Sequence, residues 1–165
     1  MTVRLTKLLL VSAIALFYTL VVLNNTTDFD SNYQFVRHVL MMDSTFPGNK
    51  GMWRAMYSPA IHLTFYFSII AWEITTMVLN WWGAFKLLRA MRKPAKEFNA
   101  AKRIAVMALG LGMLMWLVAF LTVGAEWFLM WQSHSWNGQD AAFRMFVVVG
   151  VVMLIVLQVD REEQV

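Results

Sequence analysis

Four apolar stretches, each long enough to cross the ~30 Å hydrocarbon core of a bilayer, constrain this chain more than any other feature. They run over residues 5–23, 58–88, 104–130 and 141–159. A water-soluble fold of 165 residues could not hide them, because 59% of the chain is hydrophobic and only 15% is charged, too little charge to cover a soluble surface. The expected fold is all-α, a four-helix transmembrane bundle forming a single integral membrane domain over 1–165. Arg4 and Lys7 precede the first stretch in the manner of a secretory signal. It ends in Leu23, Asn24, Asn25 and Thr26 with no small-x-small cleavage site, so the expectation is a retained anchor. The second stretch opens at Ser58 and Pro59, an N-cap and first-turn proline, and the third follows the break at Pro94. The fourth follows an Asn137-Gly138 turn, with Asp140 placed to cap it.

Positive side chains set orientation, since Lys and Arg near helix ends are retained on the cytoplasmic side. Of the fourteen, ten fall on one side: Arg4, Lys7, Lys86, Arg89, Arg92, Lys93, Lys96, Lys102, Arg103 and Arg161. The other side holds Arg37, Lys50, Arg54 and Arg144. Both termini and a basic loop at 89–103 are therefore expected in the cytoplasm, with the connections 24–57 and 131–140 facing outward. The net charge of +4 and the pI of about 9.6 follow from this asymmetry, with membrane lipid as the partner and no nucleic acid.

The outward connections are too apolar for simple linkers. Residues 31–42 predict a short amphipathic helix, opened by Ser31 and Gln34 in capping-box spacing, with Tyr33, Val36 and Leu40 on its apolar face. Such a helix lies on the interface or folds over the mouth of the bundle. A turn-rich stretch from Asp43 to Gly51 then leads into Trp53, Arg54 and Tyr57, and the second connection carries Glu126, Trp127, Trp131, His134 and Trp136. The tryptophans suit an interfacial aromatic belt.

Inside the helices one charge stands out. Leaving Glu73 ionised near the bilayer centre would cost roughly 2.5–3.5 kcal/mol. His62, Tyr66, Glu73, Thr76 and Asn80, separated by 4, 7, 3 and 4 residues, share one side of the helix and must face protein or water. The expectation is a neutral Glu73 hydrogen-bonding across the bundle to Tyr18, Ser12 or an indole N–H. A proton or cation relay along the stripe, or a contact with a partner's polar group, are the alternatives.

All three histidines, His38, His62 and His134, fall toward the outer face. With Asp43, Glu126, Arg37, Arg54 and Arg144 they outline an outer-face candidate site, with Trp53, Trp127, Trp131 and Trp136 around it. No recognised metal spacing links them. No metal or cofactor is therefore expected, haem, quinone or a metal at the outer face being the alternative. Arg54 and Arg144 are expected to pair with Asp43, Glu126 or Asp140. The chain has no Cys, and phosphate loops, nucleophile elbows and paired carboxylates are absent from it, so no catalytic residues are assigned. Ala108 and Gly112, in small-xxx-small spacing, and Gly150 predict close helix packing.

The strings Tyr33-Gln-Phe-Val-Arg-His-Val-Leu-Met-Met-Asp-Ser-Thr-Phe-Pro47, Met52-Trp-Arg-Ala-Met56 and Gly124-Ala-Glu-Trp-Phe-Leu-Met-Trp-Gln-Ser133 are long enough to be specific. With Trp136-Asn-Gly138 and Phe143-Arg144, they make the chain resemble, over nearly its whole length, a bacterial family of predicted small integral membrane proteins. The family pattern has glycine where this chain has Ala125. The resemblance implies a four-helix protein of the bacterial inner membrane and no catalytic residues. Three readings follow: a non-catalytic accessory or assembly subunit bound to another integral membrane protein or to itself; a small oligomeric transporter or channel using the Glu73 stripe; and a quinone- or haem-binding redox anchor.

Overall fold

The computed structural model describes residues 1–161, and among them every regular element is helical. Four helices are long and apolar enough to cross a membrane. They are α1 (Thr2–Thr27), α3 (Pro59–Ala90), the continuous helix Ala95–Trp127, and α5 (Gln139–Leu157). The third of these is α-helical over Ala95–Leu114, here α4, and continues over Met115–Trp127 with its hydrogen bonds widened toward i→i+5. The Phe128 N–H closes that segment on Val123 O, and the Thr122 hydroxyl donates to Leu117 O. The short helix α2 (Phe29–Met41) follows α1 after the single residue Asp28.

The chain runs up and down. Arg4 donates to Met91 O and Lys93 O, and Lys7 reaches Asp160, so the start of α1, the α3–α4 turn and the exit of α5 share one end, here the basic end. At the other, cap end, α2 and the two longer connections cover the bundle.

Several boundaries differ from the sequence reading. The basic loop expected at 89–103 shrinks to a turn at 91–94, because α4 starts directly after Pro94. A proline lacks only a donor that the first turn does not use, and Ala95, Lys96 and Glu97 are good helix formers. Ser31 does not open α2: the helix begins at Phe29 after Asp28, and Gln34 donates to Asp30 instead of closing a capping box. Ser58 and Pro59 do stand at the start of α3, but Ser58 makes no side-chain cap bond. Asp140 makes none either. Gly138 is the N-cap of α5, and the Asn137 side chain accepts from the Gln139 N–H.

Packing is set by small residues where helices touch. A Cβ on Gly83 would lie 2.7 Å from the Ala105 Cα, so α3 and α4 meet backbone to backbone there. A Cβ on Gly112 would lie 2.8 Å from the Tyr18 hydroxyl oxygen. That space lets the Trp116 indole N–H donate to Tyr18 Oη at 3.0 Å, with both side chains buried. Leu8, Val11, Leu87, Phe98, Leu109 and Val149 fill the core on the basic side of this contact.

Candidate functional site

The five stripe residues are all buried, none more than 3% exposed, as required of polar groups on a membrane-spanning helix. Their hydrogen bonds divide them. At the cap end, the His62 Nε2–H donates to Met56 O at 2.7 Å, and the Met56 N–H donates to Leu40 O, tying the first connection to α3 and α2. The Tyr66 hydroxyl donates to Asn25 O at 2.9 Å, and the Asn25 side chain donates to Glu73 Oε2 at 2.6 Å. Thr76 and Asn80 bond back to carbonyls one turn earlier on α3 itself, so they do not extend the network toward the basic end. Beyond Asn80 the buried face of α3 continues as Gly83, Ala84 and Leu87.

The partner of Glu73 is thus Asn25, not Tyr18, Ser12 or an indole. Tyr18 accepts from Trp116, and Ser12 bonds Leu8 O on its own helix. Asn25 belongs to the last turn of α1, so Glu73 lies level with the cap end of that helix and not with its middle. Mid-helix on α3 differs from mid-bundle because α3 has 32 residues against 26 in α1, and its extra length projects toward the cap.

Glu73 lines a cavity of about 190 Å³ between α1, α2, α3 and the wide-turn segment. Its walls are Val21, Phe35, Val36, Ile69, Trp116 and Phe120, with Asn25, Asn32 and Tyr66 as its other polar residues. Phe35, Val36, Ile69 and Phe120 also wall an adjoining slot of about 50 Å³ that reaches Phe128 and Met130. The acid therefore sits at the polar end of an apolar crevice. In an i→i+5 segment each turn holds an extra residue, which shifts the side chains that line this crevice out of α-helical register.

The outer-face residues fall into separate groups of contacts. His38 Nδ1 lies 2.7 Å from Asp43 Oδ2, and the ring stacks on Trp136 with centroids 4.5 Å apart. Arg37 donates to Gln34. The Arg54 guanidinium lies over the rings of Trp53 and Trp127, at 5.8 and 5.5 Å. The ion pairs expected for Arg54 and Arg144 do not form among the described residues: Arg54 lies over the two indoles and donates to Gly51 O, Asp43 is paired with His38, and Glu126, His134, Asp140 and Arg144 are exposed. Trp131 meets Phe46 edge-on at 5.7 Å, and Ser44 donates to Ser133 at 2.7 Å, so the two connections are packed against one another. Among the described residues no group of three His, Asp or Glu side chains is placed to hold a metal.

A second polar cluster, at the basic end, escaped the sequence reading. Lys7 and Lys102, both buried, donate to Asp160 Oδ2 at 2.6 and 2.5 Å and to Gln158 O at 2.6 Å each. Asn99 brackets Asp160, donating to its carbonyl and accepting from its N–H. Burial alone would raise the Asp160 carboxyl, but hydrogen bonds and charge from Lys102 and Lys7 outweigh it and hold it below the usual carboxylate range. The sequence signal was Lys7 inside the first apolar stretch; Lys102 fell in the expected basic loop, and the charge count absorbed both as topology.

A profile of the family described as predicted small integral membrane protein (DUF2165) matches residues 3–159. No curated protein and no solved structure matches the chain.

Proposed function

Since this chain belongs to the family of predicted small integral membrane proteins, we propose, on the geometry at Glu73, that it is a non-catalytic accessory subunit of a larger complex in the bacterial inner membrane. The observation that carries the reading is the cavity beside Glu73. At about 190 Å³ it is smaller than the ~300–1,000 Å³ of pockets that enclose a small molecule, and it has room for one inserted side chain. Its chemistry suits a hydrogen-bond donor or cation carried on an apolar segment: one carboxyl in an aromatic and aliphatic crevice, accepting from Asn25 alone among the described residues. The occupant is a transmembrane segment of another integral membrane protein. A transporter reading is less well supported, because the hydrogen-bonded stripe stops at Asn80 and gives way to apolar packing.

The test is purification in mild detergent with a photocrosslinking residue at Ile69, compared with the same protein carrying Glu73→Leu. The reading requires a stoichiometric second membrane protein crosslinked at Ile69 and lost with Glu73→Leu while the chain stays folded. Crosslinking to lipid alone, or a proton- or ion-dependent flux in proteoliposomes of the purified chain, would overturn it.

A further inference from the structure

At the opposite end from Glu73, between the Gly83–Ala105 contact and the turn at 91–94, α3 and α4 flank a cleft of about 650 Å³. Three alanines line it, Ala90 from α3 with Ala100 and Ala101 from α4, of which Ala90 is buried and Ala100 exposed. Larger residues there would close it. Its membrane-deep wall is Trp82, Phe85 and Ile104, with both aromatic side chains about half exposed, and its rim carries Lys86, Arg89, Lys93 and Arg103. Polarity thus changes along the cleft from apolar to cationic toward the helix ends at Ala90 and Ala95, where headgroups lie. Among the described residues only one rim cation is neutralised, Lys93 by Glu97 at 2.9 Å. The Arg89 guanidinium rests 5.7 Å over Phe85, and Lys86 and Arg103 have no ion-pair partner among the described residues. Long basic side chains with apolar stems suit this boundary, since the stem packs on the wall while the head reaches phosphate.

We propose that this cleft binds one anionic phospholipid, its phosphate held by Lys86, Arg89 and Arg103 and an acyl chain laid against Trp82, Phe85 and Ile104. Charge complementarity selects an anionic headgroup over a zwitterionic one. The apolar wall and the volume select a lipid over free phosphate, which would use only the rim. The site is independent of the accessory-subunit reading, as it shares no residue with the Glu73 cavity.

The experiment is native mass spectrometry of the full chain in detergent, titrated in parallel with phosphatidylglycerol, phosphatidylcholine and inorganic phosphate. Two charge-matched variants are compared, Lys86→Gln with Arg103→Gln inside the cleft, and Arg92→Gln with Lys96→Gln outside it. A cation beside an anionic headgroup contributes about fivefold in affinity, so the cleft pair is expected to lose about 25-fold and the outer pair less than about threefold. One phosphatidylglycerol per chain is expected in the wild type. Equal losses in the two pairs, equal retention of phosphatidylcholine, or displacement of the lipid by equimolar phosphate would each overturn the proposal. Ala100→Phe keeps the charge and fills the cleft from an exposed position, so it serves if the cleft pair fails to fold. Undiminished lipid retention in that variant would also overturn it.

Discussion

Asp160 stands between two lysines that would otherwise be buried cations, and removing it exposes how much of the basic end depends on one carboxylate. Breaking a buried pair from one side costs about 3–5 kcal/mol, since the charges left behind lose their compensation. Asp160→Asn is therefore expected to lower the midpoint of thermal unfolding in detergent sharply, whereas the same change at exposed Asp140 leaves it nearly unmoved. The pH dependence has a fixed sign. Folding lowers the Asp160 pKa, so its stabilisation is complete above the usual carboxylate range and is lost as pH falls through the folded value. Unfolding followed from neutral to acid pH should show that loss in the wild type and lack its Asp160 component in Asp160→Asn. Glu73 makes the contrasting case, because its bond to Asn25 needs an acceptor and not a charge. Glu73→Gln keeps that acceptor and is expected to stay within about 1 kcal/mol of wild type. Glu73→Leu leaves Asn25 without its acceptor and should cost about 1–3 kcal/mol. Equal losses for the two substitutions would show that charge, not hydrogen bonding, is what Glu73 supplies. Glu73 was legible in the sequence because a lone acid in an apolar run has no soluble explanation. Asn25 was not, since it reads as the polar end of a helix until the stagger of α1 against α3 is known.

Elements show the same division between what pattern reveals and what packing decides. Four spans could be counted from hydropathy because each apolar run has to satisfy its backbone internally in lipid. Their exact reach could not, as α4 absorbed most of the basic loop once Pro94 proved a helix start. The wide-turn segment Met115–Trp127 was invisible, because its residues would suit an α-helix equally well and the choice of hydrogen-bond partner leaves no compositional trace. Gly83 carried no small-xxx-small signal, yet α3 and α4 meet there. Gly83→Leu is expected to force these helices apart and destabilise the bundle by about 1–3 kcal/mol or more, while Gly110→Leu, with open space around its Cα, should be tolerated. Unfolding of both variants in one detergent would check the difference. In the cap, the Ser44 and Ser133 hydroxyl oxygens lie 2.7 Å apart, and the chain has no native Cys. Ser44→Cys with Ser133→Cys should form an intramolecular disulfide under mild oxidation, visible as a reducible mobility shift. Its absence in the inserted protein would mean that the two connections do not pack together.

For the whole molecule, the up-and-down course puts both described ends of the chain and the α3–α4 turn at one end, so a single sidedness fixes every loop. The charge distribution supplies that sidedness. Ten of the fourteen basic residues lie toward the basic end and four toward the cap, and α4 keeps Lys96, Lys102 and Arg103 there even though they are helical and not in a loop. Lys7 and Lys102 face Asp160 inside the protein, but insertion precedes that packing, so they act on topology as free cations would. The basic end is expected in the cytoplasm. A reporter active only in the cytoplasm should work when fused at the C-terminus and fail when inserted between Gly48 and Lys50, in the exposed turn before Trp53; a reporter active only outside should give the reverse. If both insertions reported from one side, the chain could not cross the bilayer four times in this fold. If both were inverted, the fold would stand but the lipid cleft would face the outer leaflet, and the positive-inside argument would fail for this chain.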